Sequence, residues 1–209
     1  GEYKGMPQGT TSTGVGAASA EICLNELHNL GMHTCIRVVT VGGLDARYDC
    51  ADLIIPLAII RRDGTSDCYI DKEFPAFADY RVALALMEAC DRLGYKYGVG
   101  LHFSPGSFFL GQGRPMHEDG SGYFPSWAKD IIPDLQAARV LSMEMDTSGP
   151  YITAYLSGVR MAAILTIVAN RVLNTWGYYD GEEKACLAAS EALKILSEWD
   201  KTGNYFGEK

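Results

Sequence analysis

The chain has 209 residues, of which 47% are hydrophobic and 21% charged, the balance of a soluble globular domain able to bury about 70% of its unfolded surface. A formal charge of -8 excludes nucleic acid or an anionic membrane as the main partner, but not a small anion, which needs only local arginines and backbone N–H groups. Six cysteines without a CxxC pair, and four histidines without an HExxH, argue against a metal site and for a reducing, cytoplasmic setting. No apolar run reaches the roughly 20 residues needed to span a bilayer, and the polar, Gly-rich start does not read as a signal peptide.

The elements alternate along the chain, which predicts an α/β fold. After a Gly/Thr/Ser loop at 9–16, Ile22, Leu24, Leu27 and Leu30 recur at near-helical spacing, with Gly31 as C-cap. A strand at 34–40 ends at Gly42-Gly43. A second, at 52–60, lacks alternation and is predicted to be buried on both faces. Residues 79–94 form an amphipathic helix through Val82, Leu84, Leu86, Met87 and Leu93. Residues 96–104 form a strand running into a turn-rich stretch, 105–126, long enough to be functional. A short helix broken near Pro133 precedes a strand at 140–145. A helix at 148–158, an apolar strand at 159–170 and a closing helix at 180–201 complete a single domain over 1–209.

Four segments carry chemistry. In Ser12-Thr13-Gly14-Val15-Gly16-Ala17-Ala18-Ser19, a Gly-rich loop opens a helix, whose free N–H groups suit an anion or a hydroxyl; a plain tight turn is the alternative. In Ile36-Arg37-Val38-Val39-Thr40-Val41-Gly42-Gly43, an arginine inside an apolar strand needs a partner. That partner is either phosphate, with Thr40 and the following backbone as neutral donors, or a carboxylate elsewhere in the chain.

In Phe108-Phe109-Leu110-Gly111-Gln112-Gly113-Arg114, a glutamine amide matches the O2/N3–H edge of uracil, the arginine supplies donors to O4, and Phe108 can stack on the ring. A solvated loop is the alternative. In Met143-Glu144-Met145-Asp146, two carboxylates two apart lie on one side of an extended strand. They can accept from paired sugar hydroxyls, act as acid and base, or cap the helix that follows.

These segments, in this order and at nearly these separations, resemble those of the uridine phosphorylases, on the pyrimidine branch of the nucleoside phosphorylase superfamily. STGVGAAS, RVVTVGG, FFLGQGR and MEMDTS correspond to the family's STGxGxxS, RxGTxG, FYxGQxR and EMES-like runs, and Asn170-Arg171 ends a similar apolar strand. The resemblance covers roughly residues 9–172. Purine-specific relatives place an aspartate near the end of that later strand, and ANRVLNTW has none there.

The resemblance implies a three-layer fold with a central mixed sheet flanked by helices, and reversible phosphorolysis of uridine to uracil and ribose 1-phosphate. Inorganic phosphate is the co-substrate, with no metal and no cofactor. Arg37 and Thr40 would hold phosphate, with Gly42 beside the substrate. Gln112 and Arg114 would hold uracil, Phe108 would flank it, and Glu144, Met145 and Asp146 would face the ribose. Arg37 and Arg114 would act in catalysis, in a homodimer or a hexamer of dimers.

This sequence departs from the family's pattern at Val39, Val41 and Asp146, the last shorter than the family's Glu by about 1.5 Å, and at Pro105-Gly106, where a Ser/Thr-Asp pair is common. The family's N-terminal strand, its Gly-Asp-Pro phosphate loop and a histidine lent to a neighbouring site are expected to be missing from these 209 residues. A nucleoside-binding homologue with impaired catalysis, or a phosphorylase or hydrolase of altered specificity, is the competing expectation.

Overall fold

The computed structural model describes residues 1–177 and 180–205. A small hairpin, β1 (Glu2–Tyr3) and β2 (Met6–Pro7), opens the chain where the sequence read only as polar and Gly-rich. Next come α1 (Ala17–Asn29), β3 (Thr34–Gly43), β4 (Leu53–Arg62), β5 (Ala76–Phe77), α2 (Tyr80–Leu93) and β6 (Tyr97–Pro105). The second half holds α3 (Ser126–Ala137), β7 (Ser142–Met143), α4 (Ser148–Leu156), β8 (Arg160–Asn170), β9 (Thr175–Trp176) and α5 (Gly181–Thr202).

The central sheet is mixed, in the order β5-β4-β6-β7-β3-β8-β9. β3 runs parallel to β8, and β4 parallel to β6. Leu53 and Ile54 of β4 also pair antiparallel with Thr166 and Leu165 of β8. Strands β4, β6, β7, β3 and β8 therefore close on themselves, which leaves the circuit without open edges. Helices α2 and α5 pack together over β3, β4 and β8, while α1 packs on α4. The main core lies between the sheet and these helices; a smaller one, with Leu44, Phe103, Ile131, Leu135, Val140 and Met143, lies under α3.

Local chemistry sets the boundaries. Asp79 caps α2 by accepting from the Arg81 and Val82 N–H groups, and Gly94 ends it with a φ of 68°. Gly31 follows α1 with a φ of 97°, one residue beyond the C-cap Leu30.

Three readings are corrected. Pro133 does not break α3: Ala128, Ile131 and Leu135 bury one face on both sides of it, and that packing outweighs the lost backbone hydrogen bond. The strand at 140–145 shrinks to Ser142–Met143, because the chain bends at Glu144 to enter α4. β4 is buried without a break only over its first four residues; Leu57 is exposed, and of the residues after it only Ile59 returns to the core. Among the cysteines, Cys90 is a core residue, but Cys68 and Cys186 are exposed.

No helix among the described residues is long and apolar enough to cross a membrane. No His/Cys/Asp/Glu group among them could hold a metal ion.

Candidate active site

Three of the four motifs meet at one point. Arg37, in the middle of β3, is only 7% exposed. Its Nη2 donates to Asp146 Oδ2 at 2.8 Å and its Nη1 to Thr13 Oγ1 at 3.0 Å. Asp146 Oδ1 accepts from the Gly16 N–H at 2.6 Å, so the same carboxylate also meets the start of α1. The loop that brings Thr13 there turns through Gly14 and Gly16, at φ of 71° and 96°. Ser19 locks it by donating to the Thr13 carbonyl. The Nε of Arg37 is buried without a partner among the described residues. An unused donor on a buried guanidinium is costly unless a ligand takes it.

Of the alternatives left open by the sequence, the carboxylate partner of Arg37 is present at this point. Glu144 does not cap the helix that follows; it binds the N–H groups of the bend just ahead of it. The two carboxylates do not share one side of a strand; they sit in the bend 144–147 and turn apart. Glu144 Oε2 accepts from the Asp146 N–H at 2.5 Å, and both its oxygens accept from the Thr147 N–H, at 3.1 and 3.0 Å. Its Oε1 also lies 2.9 Å from His102 Nε2, and His102 Nδ1 lies 2.8 Å from Ser142 Oγ.

Burial works against the Glu144 charge, but His102 and the bend N–H groups outweigh it and hold the carboxyl down to about 2. Asp146 shifts the other way. Burial and then the Glu144 charge raise it, against the pull of Arg37 and Gly16. His102 went unnoticed in the sequence because its partner is 42 residues away; the only signal was a histidine inside the apolar run of β6.

The fourth motif forms a separate cluster. A short 3-10 turn at Leu110–Gln112 places Gln112 in the interior, 4% exposed, with its Oε1 accepting from Arg114. Arg114 also donates to the Phe108 carbonyl at 3.2 Å and lies over the Phe108 ring, 4.2 Å from its centroid. Phe108 packs edge-on against Phe109. Gly113 joins Gln112 to Arg114 at a φ of 64°, where an added Cβ would come within 2.9 Å of the Ala128 carbonyl oxygen, so only glycine fits.

Arg171, read before only as the end of an apolar strand, joins this cluster by donating to the Gln112 carbonyl at 3.3 Å. Burial, and then the Arg171 charge, push Arg114 down to about 10; burial also lowers Arg171. The Arg171 N–H donates to the Gly43 carbonyl, so the cluster is anchored at the end of the strand that carries Arg37.

Thr40 and Gly42 lie on β3 between the two clusters. Thr40 pairs in register with Thr166 and makes no hydrogen bond with Arg37 among the described residues. Gly42 pairs with Met143 and would meet its side chain only at ordinary contact distance; Gly43 is the tighter position, because a Cβ there would come within 3.0 Å of Asn170 Nδ2. Met145 is half-buried in the bend. A cleft of about 490 Å³ opens beside the 105–111 stretch, walled by Arg62, Phe103 and Trp127 among others, and shares no wall with the residues of the Arg37 network.

Residues 1–198 match the phosphorylase superfamily. Over 209 residues the chain is 44% identical to a uridine phosphorylase of Thermococcus kodakarensis, covering 100% of this chain and 74% of that protein. It is 30% identical to the Escherichia coli uridine phosphorylase over 94% of this chain and 76% of the relative. A guanosine phosphorylase of Halorubrum lacusprofundi is 28% identical over 92% of this chain and 75% of its own length. The match runs through the closed mixed sheet and through the strands and bends that carry both clusters, and with it the chain belongs to the phosphorylase superfamily.

Proposed function

We propose that residues 1–209 form a single nucleoside phosphorylase domain, a pentosyltransferase that catalyses the reversible phosphorolysis of uridine to uracil and ribose 1-phosphate. The 44% identity to a uridine phosphorylase over the full chain supports this reaction over a nucleoside-binding homologue without turnover. The observation that carries the site is the buried Arg37 guanidinium with one donor unused, at the meeting point of the Thr13 loop, β3 and the Asp146 bend.

In this reading Arg37 and Thr40 hold the co-substrate phosphate, with Gly42 lining the path toward the base. Met145 and Asp146 face the ribose, with Glu144 behind them. Gln112 and Arg114 read the uracil edge, and Phe108 flanks the ring. Phosphate attacks C1′ as the glycosidic bond lengthens, and electrons pass from N1 onto the uracil oxygens. Donation from Arg114 to O4 strengthens as that charge grows, so it stabilises the transition state more than the ground state. Arg171, supporting the same turn, keeps positive potential there. No step calls for a metal or a cofactor.

The enzyme works as a homodimer or a hexamer of dimers, and its six unpaired cysteines suit the cytoplasm. The test is uracil release from uridine with and without inorganic phosphate. Release that depends on phosphate is the expected result; release without it indicates a hydrolase, and binding of uridine without release indicates a binding protein.

A further inference from the structure

Outside the substrate-facing residues, His102 is a titratable side chain buried completely, at 0% exposure. It stands on β6 in register with Ser142 of β7, and both of its ring nitrogens are engaged, by Ser142 Oγ and Glu144 Oε1. Glu144, held ionised, only accepts, so Nε2 carries the hydrogen of that bond; the Ser142 hydroxyl, able to donate or accept, fixes the ring from the other side. Every other hydrogen bond of Glu144 goes to the backbone of the bend, to the N–H groups of Asp146 and Thr147. The bend is therefore wrapped around a carboxylate that His102 holds from behind. The same bend carries Asp146, whose oxygens reach Arg37 and Gly16.

We infer that His102 is a positioning residue for sugar recognition: through Glu144 it fixes the bend that aims Asp146 at the ribose hydroxyls, and so sets the preference for ribose over 2′-deoxyribose. This rests on the proposed phosphorolysis. His102 touches no substrate. Removing it leaves a buried carboxylate short of a donor and lets the bend relax, and a displacement of about 1 Å at a substrate-positioning group costs on the order of 10²-fold in rate. A group that merely supported the fold would lower activity on both sugars alike. A group that aims Asp146 changes their ratio, because only one of the two substrates offers the 2′-hydroxyl.

The experiment compares kcat/KM for uridine and 2′-deoxyuridine at saturating phosphate, with thermal melting of each protein, in His102→Gln, His102→Asn and Ser142→Ala. A glutamine amide can reach the Nε2 position and keep the donor to Glu144. An asparagine reaches only the Nδ1 side. The expected result is a uridine preference retained within about 2-fold in His102→Gln and reduced about 10-fold or more in folded His102→Asn, the loss falling on uridine.

The inference is overturned by a folded His102→Asn protein with the parent's ratio, by equal losses in the Gln and Asn variants, or by a parent that does not distinguish the two sugars. If His102→Asn does not fold, Ser142→Ala decides the matter: a ratio reduced about 3-fold supports positioning, and an unchanged one overturns it. A parent that releases no uracil sinks the proposed reaction itself, and this inference with it. A parent active on both sugars whose ratio ignores all three substitutions sinks the inference alone.

Discussion

The two halves of the candidate site are built on different principles. The Arg37 network joins residues 24 and 109 positions apart, is buried, and is held by groups on the Thr13 loop, β3, the 144–147 bend and β6. The Gln112 cluster is local apart from Arg171, 59 positions on: Arg114 bonds to residues two and six positions back and stacks on a half-exposed ring of its own loop. A network of distant, desolvated partners is fixed when the sheet closes, whereas a local cluster can rearrange without disturbing the core. The Arg37 network is thus the rigid part, and the Gln112 cluster the more adjustable one. Substitutions at the first should cost stability and activity together, and at the second activity alone.

The largest expected effect tests the rigid half. Arg37→Met leaves the part-buried Asp146 carboxylate with only the Gly16 N–H and removes the partner of the Thr13 hydroxyl, and the fold should lose about 2–3 kcal/mol in denaturant unfolding, with kcat/KM down by at least about 10²-fold. The double variant Arg37→Met/Asp146→Leu sharpens the comparison. Stability should largely return, because no buried charge is left unpaired, while activity should not. If the double variant is as unstable as the single one, the pair is not what couples the loop to the bend.

The pH dependence of stability separates two carboxyls inside the same network. Glu144 is lowered in the fold, so it contributes stability that is fully present above its ordinary value of 4.5 and is lost as pH falls from there through about 2. That difference corresponds to about 3 kcal/mol, to order of magnitude. Asp146 is raised, so its ionisation opposes folding: the contribution favouring the fold is present below 3.8 and is lost as pH rises through its folded value. Glu144→Gln should therefore flatten the acid limb of a stability–pH curve, and Asp146→Asn should not. Acid melts of the two variants that superimpose would show that the bend does not divide the charges in this way.

How far the sequence reached follows the same division. Periodicity and caps located α1, α2, α5, β3, β6 and β8 to within a few residues; α1 was placed although its apolar stripe is not its buried face, since Ile22 and Leu30 are exposed and only Ala17, Ala20 and Leu24 are buried. The two-residue strands β5 and β9 have no pattern to read; their partners β4 and β8 define them. The MEMD run looked extended because its apolar and acidic residues alternate, but a carboxylate that accepts from the following N–H groups turns the chain there instead. The motif residues were legible one by one. Their grouping was not: the Arg37–Asp146 pair, the burial of Glu144 on His102 and the entry of Arg171 into the Gln112 cluster all depend on strand order, which local residue chemistry does not encode.

For the adjustable half the expected effects are smaller. Arg114→Lys keeps the charge but loses the planar fork that reaches Gln112, the Phe108 carbonyl and the ring face together. Uridine turnover should fall about 10- to 100-fold, with the melting temperature unchanged within error, the loss appearing in kcat if O4 donation grows in the transition state. A loss confined to KM would make Arg114 a binding group only.

Phe108→Leu should have the smallest effect, and it discriminates most finely. The ring is 48% exposed, so its replacement opens no core cavity and the fold should be unaffected within about 0.5 kcal/mol. What is lost is the stacking of Arg114, worth about 0.5–1 kcal/mol at a partly exposed site, together with any contact to the uracil face. If the ring serves mainly to hold Arg114, kcat and KM should both move a few-fold and Arg114→Lys should add little on top, since the two residues then act as one unit. If it serves mainly to cover the base, KM alone should rise and the two substitutions should add. The double-mutant cycle on uridine thus decides whether the local cluster works as a single part or as two neighbours, a question that does not arise for the Arg37 network, where removing either charge leaves the other buried and unpaired.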